Sequence, residues 1–215
     1  MNTSQRRRAL TATSALGLLL LSACATGPGG TPPPSSTSVP SDQRLESARP
    51  DLPDGRVIGV GTVLDVGGDV RLCLGAIRES YPPQCDGVPV DEWSWDGVDG
   101  SETAGETTWG AYAVYAEYDG ERLTTTDPPI MLALYDPVAP EDPTGGIDGS
   151  TPPAELTRIQ DDITARLGAD ALVVTADRGY VRLLVVWDDG TLQDAADAEY
   201  GDRTVIVTSS LREID

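Results

Sequence analysis

The sequence predicts a mixed α+β protein, in which a small antiparallel β barrel or sandwich precedes a small α-β-β-α-β domain. Three observations support this fold class. Residues 55–137 contain short segments rich in β-branched and aromatic residues, separated by turn residues and without helical periodicity. Residues 151–215 combine helical spacing of apolar residues with strand-like segments. The chain between its leader and residue 55 is too poor in apolar residues to form a core.

Residues 1–23 have the parts of a secretory signal. Residues 6–8 are arginines, and residues 9–21 are largely apolar over a length too short to span a hydrocarbon core of ~30 Å. The next feature resembles the bacterial lipobox, formed here by Leu21, Ser22, Ala23 and Cys24. The alternative is an ordinary secretory signal with a chance cysteine.

The lipobox resemblance implies that the signal is cut before Cys24 and that its sulfur carries a diacylglyceryl group, with further acylation at the new amino terminus. Two or more acyl chains anchor a protein stably. We therefore expect a lipoprotein at the extracytoplasmic face of the cytoplasmic membrane. Residues 5–10 also resemble part of a twin-arginine export signal, so the choice between the two export routes stays open.

Residues 25–54 are predicted to be a disordered tether. They are rich in Gly, Pro, Ser and Thr and offer little apolar surface to offset the entropy of ordering the chain. We expect this tether to hold the folded part away from the membrane.

The composition excludes several classes of chemistry. The chain has 35 acidic and 15 basic residues, a net charge of −20 and no histidine, and all its basic residues are arginine. Serine–histidine or cysteine–histidine catalysis, lysine-dependent chemistry and histidine-ligated zinc are thereby excluded. Strong acidity also argues against nucleic acid and against anionic lipid headgroups as partners. We expect no cofactor.

Cys73 and Cys85 are an even pair in an oxidising compartment, which predicts a disulfide. It would close a loop of about a dozen residues and stabilise the fold by roughly 3 kcal/mol. Two free thiols or a metal site are the alternatives, and a metal site would need ligands beyond two cysteines.

The first folded domain is assigned to residues 55–137. Gly59 and Gly61 predict a bend in its first strand, and Asp119-Gly120 suits a two-residue hairpin turn. Residues 96–105 are predicted to be a polar loop. Six strands are expected, at residues 56–66, 69–77, 88–95, 107–118, 121–126 and 129–135.

Residues 138–150 break every periodicity and are predicted to be a linker to a second domain at residues 151–215. Thr151 is expected to cap its first helix, which Gly168 ends. The apolar positions of that helix are Leu156, Ile159, Ile163 and Leu167. The elements expected after it are a strand pair at 171–187, a short helix at 191–200 that Thr191 caps in a capping box with Asp194, and a last strand at 203–211.

Aromatic and acidic residues supply the candidate binding sites. Aromatic faces stack on sugar rings and small Greek-key barrels bind oligosaccharides, so the candidates for ligand stacking are Trp93, Trp95 and Trp109. Because the chain has no phenylalanine, core packing is the alternative role for these rings. Calcium prefers several oxygen ligands, and the candidate ligands are Asp96, Asp99 and Glu102. They do not follow EF-hand spacing, and ordinary Asp-Gly turns are the alternative.

Several long stretches resemble a group of lipoproteins from high-GC Gram-positive bacteria (actinobacteria). They are GTVLDVGGDVRLCLGAIRESYPPQCDG, WSWDGVDG, WGAYAVYAEYDGERLTTT and ALVVTADRGYVRLLVVWDDGTLQDAADAEYGDRTVIVTSSLR. The resemblance covers nearly all of the chain after the tether and implies an envelope protein with a paired-cysteine β domain. The group carries no assigned activity, so the resemblance implies no catalytic residues.

These observations together predict a lipid-anchored, non-enzymatic binding or interaction module at the cell envelope, with a glycan or a protein as its partner. The alternative is an enzyme that cleaves envelope glycans with a pair of carboxylates, for which the chain offers a cluster of acids between residues 91 and 102. A structural envelope component without a small ligand is the third possibility.

Overall fold

Five strands close into a barrel in the computed structural model, which describes residues 44–139 and 141–214. The strands, in chain order, are β1 (Val57–Val66), β2 (Asp69–Cys73), β3 (Val88–Asp91), β5 (Thr107–Tyr118) and β6 (Leu123–Thr125). The order around the barrel is β1-β2-β3-β6-β5, and β5 pairs with β1 to close the ring. All neighbours are antiparallel except β3 and β6, which run parallel. The predicted α+β class with a small β barrel is confirmed.

Alternation along the strands separates the inside of the barrel from its outer wall. Val63 of β1 lies beside Leu72 of β2 and both are fully buried, whereas their neighbour Val66 is half exposed. The bend expected in β1 coincides with a change of pairing partner. The second half of β1 pairs with β2, whereas its first three residues pair with a C-terminal strand. A Cβ at Gly61 would lie 2.2 Å from the carbonyl oxygen of Cys73, so only glycine fits where β1 crosses β2.

Two short strands of residues 55–137 lie outside the ring. They are β4 (Glu102–Ala104) and β7 (Ile130–Met131), and both pair with β5. The prediction that residues 96–105 form a polar loop is therefore wrong for β4, whose three residues show no apolar alternation that would reveal a strand. The predicted third strand also ends early, at Asp91 rather than residue 95, because Glu92 adopts φ 58° and turns the chain away from the sheet.

The C-terminal part has the predicted order of helices and strands. It comprises α1 (Pro153–Leu167), β8 (Val173–Asp177), β9 (Tyr180–Val185), α2 (Thr191–Tyr200) and β10 (Val205–Ser209). The sheet order is β10-β9-β8, with β9 and β10 parallel. The expected caps by Thr151 and Thr191 are wrong, because α1 begins at Pro153 without a side-chain cap and Asp188 accepts the Leu192 N–H at the start of α2.

A last strand, β11 (Leu211–Glu213), leaves this layer and pairs antiparallel with the start of β1. The chain after the predicted linker therefore contributes to the barrel sheet as well as to its own sheet. The described residues all lie within one compact unit.

Residues 44–54 are ordered against the fold, so the prediction that the tether extends to residue 54 is wrong for this part. Leu45 is 1% exposed and packs between α1 and α2. Trp187 donates its indole N–H to the carbonyl oxygen of Asp51 at 2.8 Å. Leu45 and Leu52 are the only leucines in this polar stretch, and two isolated apolar residues are too weak a signal to reveal docking.

Arg166 of α1 is the charged partner of this segment. It forms ion pairs with Glu46, Asp162 and Glu199, and its guanidinium also contacts the hydroxyl of Tyr200. The hydrogen bond from Arg166 holds the pKa of Glu46 below its usual range. Residues 44–54, called the strap from here on, are therefore linked to both helices through one arginine.

The remaining N-terminal predictions lie outside the described residues. They are the signal peptide, the lipobox residues Leu21, Ser22 and Ala23, the lipidation site Cys24 and the tether up to residue 43. Among the described residues, no helix has the length and hydropathy needed to cross a membrane.

Candidate functional site

The predicted disulfide between Cys73 and Cys85 is confirmed, with their Cα atoms 5.9 Å apart. It closes a loop that connects β2 to β3 along the outer wall of the barrel. Within this loop Arg78 and Gln84 form an isolated β-bridge, and Tyr81 lies at the tip with 76% of its surface exposed. The disulfide and the β-bridge therefore both constrain this loop, and one aromatic ring at its tip is exposed to solvent.

The structure separates the three tryptophans that are candidates for ligand stacking. Trp93 and Trp95 lie in the segment after β3 and pack against the core at one end of the barrel. Trp109 lies on β5 and faces the outer wall, opposite in alternation to the buried Tyr112. Core packing thus explains part of the role of the first two rings, but not that of Trp109.

Tyr112 is the centre of the aromatic cluster at the barrel end. It is fully buried, and its ring centroid lies 5.8 Å from that of Trp93 and 6.1 Å from that of Trp95. Its hydroxyl donates to the carbonyl oxygen of Asp99 at 2.9 Å, and burial raises its pKa. A Cβ at Gly110 would lie 2.6 Å from Cε2 of this ring, so glycine is required where the ring crosses its own strand.

The two indoles of this cluster differ in their polar contacts. Trp93 and Trp95 meet edge to face, with centroids 5.1 Å apart. Trp95 donates its N–H to a carboxylate oxygen of Asp65 at 2.8 Å. The Trp93 N–H is buried, and no described residue accepts a hydrogen bond from it. An unpaired buried donor is costly and therefore marks this part of the cluster as unusual.

An open cleft of about 330 Å³ lies beside Trp93. It arises from the parallel pairing of β3 and β6, because the carboxyl ends of parallel strands meet at one edge and the segments that leave them diverge. Glu92 follows β3 and Thr126 follows β6. The lining residues are Glu92, Trp93, Ser94, Asp96, Gly97, Val98, Thr125, Thr126, Asp127, Pro128 and Pro129.

Hydrogen bonds fix the two walls of the cleft to each other. The hydroxyl of Thr125 donates to the carbonyl oxygen of Glu92 at 2.9 Å. Arg122 binds both carboxylate oxygens of Asp91 and lowers the pKa of that carboxyl through this hydrogen bond. On the other side Arg56 pairs with Asp127 at 2.6 Å. These contacts fix the walls of the cleft, and the two arginines that take part in them are not among its lining residues.

The cleft lining is rich in hydrogen-bond acceptors. Three carboxylates and three hydroxyls line it, together with one indole and two prolines, and no arginine is among its described lining residues. Carboxylates only accept hydrogen bonds, so a ligand here must donate them. A flat apolar ring face beside these groups suits the C–H face of a sugar.

The outer wall has a second, different groove, of about 320 Å³, between the disulfide loop and β1–β2. Tyr81 stands edge-on to Trp109 near it, with centroids 5.4 Å apart. Arg71 and Arg78 line this groove, and each is engaged by an acid, Asp69 at 3.1 Å and Asp86 at 2.8 Å respectively. The groove is therefore lined by apolar residues and by arginines that are paired with acids, and the aromatic pair stands beside it.

The calcium candidates are not brought together. Asp96 lines the cleft, Asp99 supplies a backbone carbonyl to Tyr112, and Glu102 lies on β4 opposite Trp109. In the parts of the chain that the structure describes, no three His, Cys, Asp or Glu residues are placed to hold a metal ion. These acids are close in sequence, but their side chains do not meet at one site, because β4 carries Glu102 away from the loop.

Sequence reasoning missed the second wall of the cleft, at residues 125–129. This wall lies 33 residues from Glu92 along the chain, and only the parallel pairing of β3 and β6 joins them. No local sequence signal reports such a pairing. No family model, curated protein or solved structure matches this chain.

Proposed function

We propose that this chain is a lipid-anchored lipoprotein of the extracytoplasmic membrane face, and that it is a non-enzymatic module that binds an envelope glycan. One observation supports the binding role most strongly: the cleft at the carboxyl ends of β3 and β6, with Trp93 on one side and hydroxyls and carboxylates around it. Its size falls in the range of small-ligand sites, which is about 300–1,000 Å³.

The chemistry of the cleft favours a polyhydroxylated ligand. Ser94 can donate and accept, whereas Thr126, whose hydroxyl donates to Asp127 at 2.8 Å, and Asp96 can only accept. Trp93 and the two prolines at 128–129 offer apolar faces for the C–H side of a sugar ring. Single sites of this kind bind weakly, and attachment of the protein to a membrane raises the effective concentration of a ligand in the same envelope.

The proposed anchor is the lipid on Cys24. The strap begins at Arg44, so 19 residues lie between it and the lipidated cysteine, and a chain of this length reaches at most ~70 Å. The start of the strap thus stays within that distance of the membrane surface. The glycan ligand must lie where the cleft of a protein held in this way can reach it.

The position of Asp188, a carboxyl whose pKa is raised, supports the non-enzymatic assignment. A general acid in glycoside cleavage needs such a carboxyl beside the substrate. Burial raises the pKa of Asp188, but Asp188 caps α2 and does not line the cleft. The alternative, a carboxylate-dependent glycan-cleaving enzyme, remains an outcome of the experiment below.

The test is a thermal-shift and calorimetric screen of the full chain against soluble fragments of envelope glycans. A fragment at a hundred times its dissociation constant should add about 2.7 kcal/mol to stability. Asp96→Asn should weaken binding, whereas Asp86→Asn, which alters an exposed acid of the outer wall, should not. Loss of binding in Asp86→Asn alone would place the site on the wall, and cleavage of a fragment would establish the enzyme.

The anchor is tested separately by cell fractionation of Cys24→Ala. We expect this variant to leave the membrane fraction. If it stays wholly with membranes, the anchor is not a lipid on Cys24.

A further inference from the structure

We infer that the cleft selects an amino sugar, a saccharide that carries a free ammonium group. This inference rests on the proposed function, since it specifies the ligand of the same site. It follows from the groups that the cleft leaves unpaired and from the sign of their charge.

Two of the three carboxylates at the cleft lack partners. Asp127 is paired with Arg56. Glu92 and Asp96 are exposed, and among the described residues neither side chain takes part in an ion pair or accepts a hydrogen bond. The net charge of the whole chain is −20, so the surrounding field also attracts a cation and opposes an anion.

The unpaired donor of the same cleft points to oxygen atoms in the ligand. The Trp93 N–H is buried and without an acceptor, although the residue itself lines the cleft. A saccharide oxygen would supply this acceptor if the 92–98 segment yields slightly when the ligand enters. A ligand that carries both an ammonium group and ring or hydroxyl oxygens complements both sets of unpaired groups.

These requirements rank the common sugar types. An amino sugar satisfies the carboxylates, the indole donor and the apolar faces at once. A neutral or N-acetylated sugar keeps the stacking and the hydroxyl contacts but leaves Glu92 and Asp96 without a counter-charge. A uronic acid brings a third unpaired negative charge to this pair and is expected to bind most weakly.

The test is calorimetric titration of the full chain with four probes at a pH at which the amine is protonated. The probes are a glucosamine tetramer, its fully N-acetylated form, a neutral glucose tetramer and spermine, a polyamine without sugar rings. We expect the glucosamine tetramer to bind at least tenfold more tightly than the other three. Added salt should reduce this advantage, because the pair is solvent-exposed.

Two variants test whether the preference for the glucosamine tetramer depends on the cleft carboxylates. Glu92→Gln combined with Asp96→Asn should remove the advantage of the glucosamine tetramer, and it should weaken binding of the neutral tetramer much less than binding of the glucosamine tetramer. Asp86→Asn is the matched control on the outer wall and should change neither affinity. A thermal melt of each variant verifies that it is folded.

The other outcomes overturn the inference in distinguishable ways. Equal affinity for the three saccharides would remove the ammonium requirement and leave the glycan-binding function intact. Equal binding of spermine would show unspecific attraction to an acidic protein. An advantage that survives in the double variant would place the selective site elsewhere. If no saccharide binds at all, the proposed function fails together with the inference.

Discussion

The two aromatic clusters of the barrel are built from the same residue types but have different roles. Trp93, Trp95 and Tyr112 close one end of the barrel, whereas Tyr81 and Trp109 stand on its outer wall. Both clusters contain an edge-to-face pair with centroids just over 5 Å apart. Trp109 and Tyr112 are three residues apart on one strand and face opposite sides of it. Side of the sheet, not residue type, decides which ring supports the fold.

The clusters also differ in how they are held. The end cluster is fixed by hydrogen bonds into the barrel, from Trp95 to Asp65 and from Tyr112 to Asp99. The wall pair is held by a loop that a disulfide and two prolines constrain. We therefore expect changes of the rings at the end to affect stability and binding together, and changes of the two rings at the wall to affect neither strongly.

The largest expected contrast lies between Tyr112→Ala and Tyr81→Ala. Removal of a fully buried aromatic side chain costs about 3–5 kcal/mol, whereas a surface substitution stays within about 0.5 kcal/mol. Tyr112 is fully buried and Tyr81 is 76% exposed. Urea denaturation of both variants measures the difference. Similar losses from the two changes would mean that the wall pair is part of the core.

The next largest effect is expected from Cys73→Ala combined with Cys85→Ala. The chain-entropy model gives a loss of roughly 3 kcal/mol for a loop of about this length. The same variant should weaken contact between Tyr81 and Trp109 while saccharide binding at the cleft is retained. Denaturation and titration of the same sample test both parts. Loss of binding without unfolding would link the wall to the site.

A smaller contrast is expected inside the end cluster, between Trp95→Phe and Trp93→Phe. Both keep an aromatic ring. The first also leaves the Asp65 carboxylate without its indole donor, while the second removes a donor that has no partner. We expect Trp95→Phe to be less stable than Trp93→Phe by about 1 kcal/mol. The reverse order would indicate that the Trp93 N–H has an acceptor.

The smallest effect is expected from Asp91→Asn, and it depends on pH. The hydrogen bond from Arg122 lowers the pKa of Asp91 below 3.8, so the pair stabilises the folded chain above that value and ceases to do so as the pH falls through the folded pKa. The Tm of the variant should lie below that of the wild type at neutral pH and match it at strongly acidic pH.

The control for this variant is Asp69→Asn, on the wall. Asp69 pairs with Arg71 of the same strand and ties no two elements together. We expect its Tm to equal that of the wild type at every pH. A loss of Tm in Asp69→Asn at neutral pH would contradict the distinction between the two regions.

Local sequence patterns predicted much of the fold. Helical spacing of Leu156, Ile159 and Ile163 marked α1, β-branched residues marked β1, and the Asp119-Gly120 turn marked the hairpin of β5 and β6. The disulfide followed from cysteine number and compartment. The strap did not, since the docking of Leu45 depends on a groove between two helices more than 100 residues away.

The candidate site was predicted in part. The sequence identified the candidate tryptophans. Which of them lie at the barrel end and which on the outer wall depends on where β3 ends. Glu92 adopts a left-handed conformation there, which a glutamate rarely does and which no pattern predicts. The wall opposite, from Thr125 to Pro129, required knowledge of the parallel pairing of β3 and β6. Non-local pairing of this kind leaves no periodic trace in the chain.

The most direct test of the central claim uses the indole N–H signals of the four tryptophans in an NMR titration with the saccharide that binds. Single Trp→Phe variants assign the signals. We predict that Trp93 and Trp95 shift, while Trp109 on the wall and Trp187 beside the strap stay in place. A shift of Trp109 with unchanged signals from Trp93 and Trp95 would place the ligand on the outer wall and contradict a binding site at the barrel end.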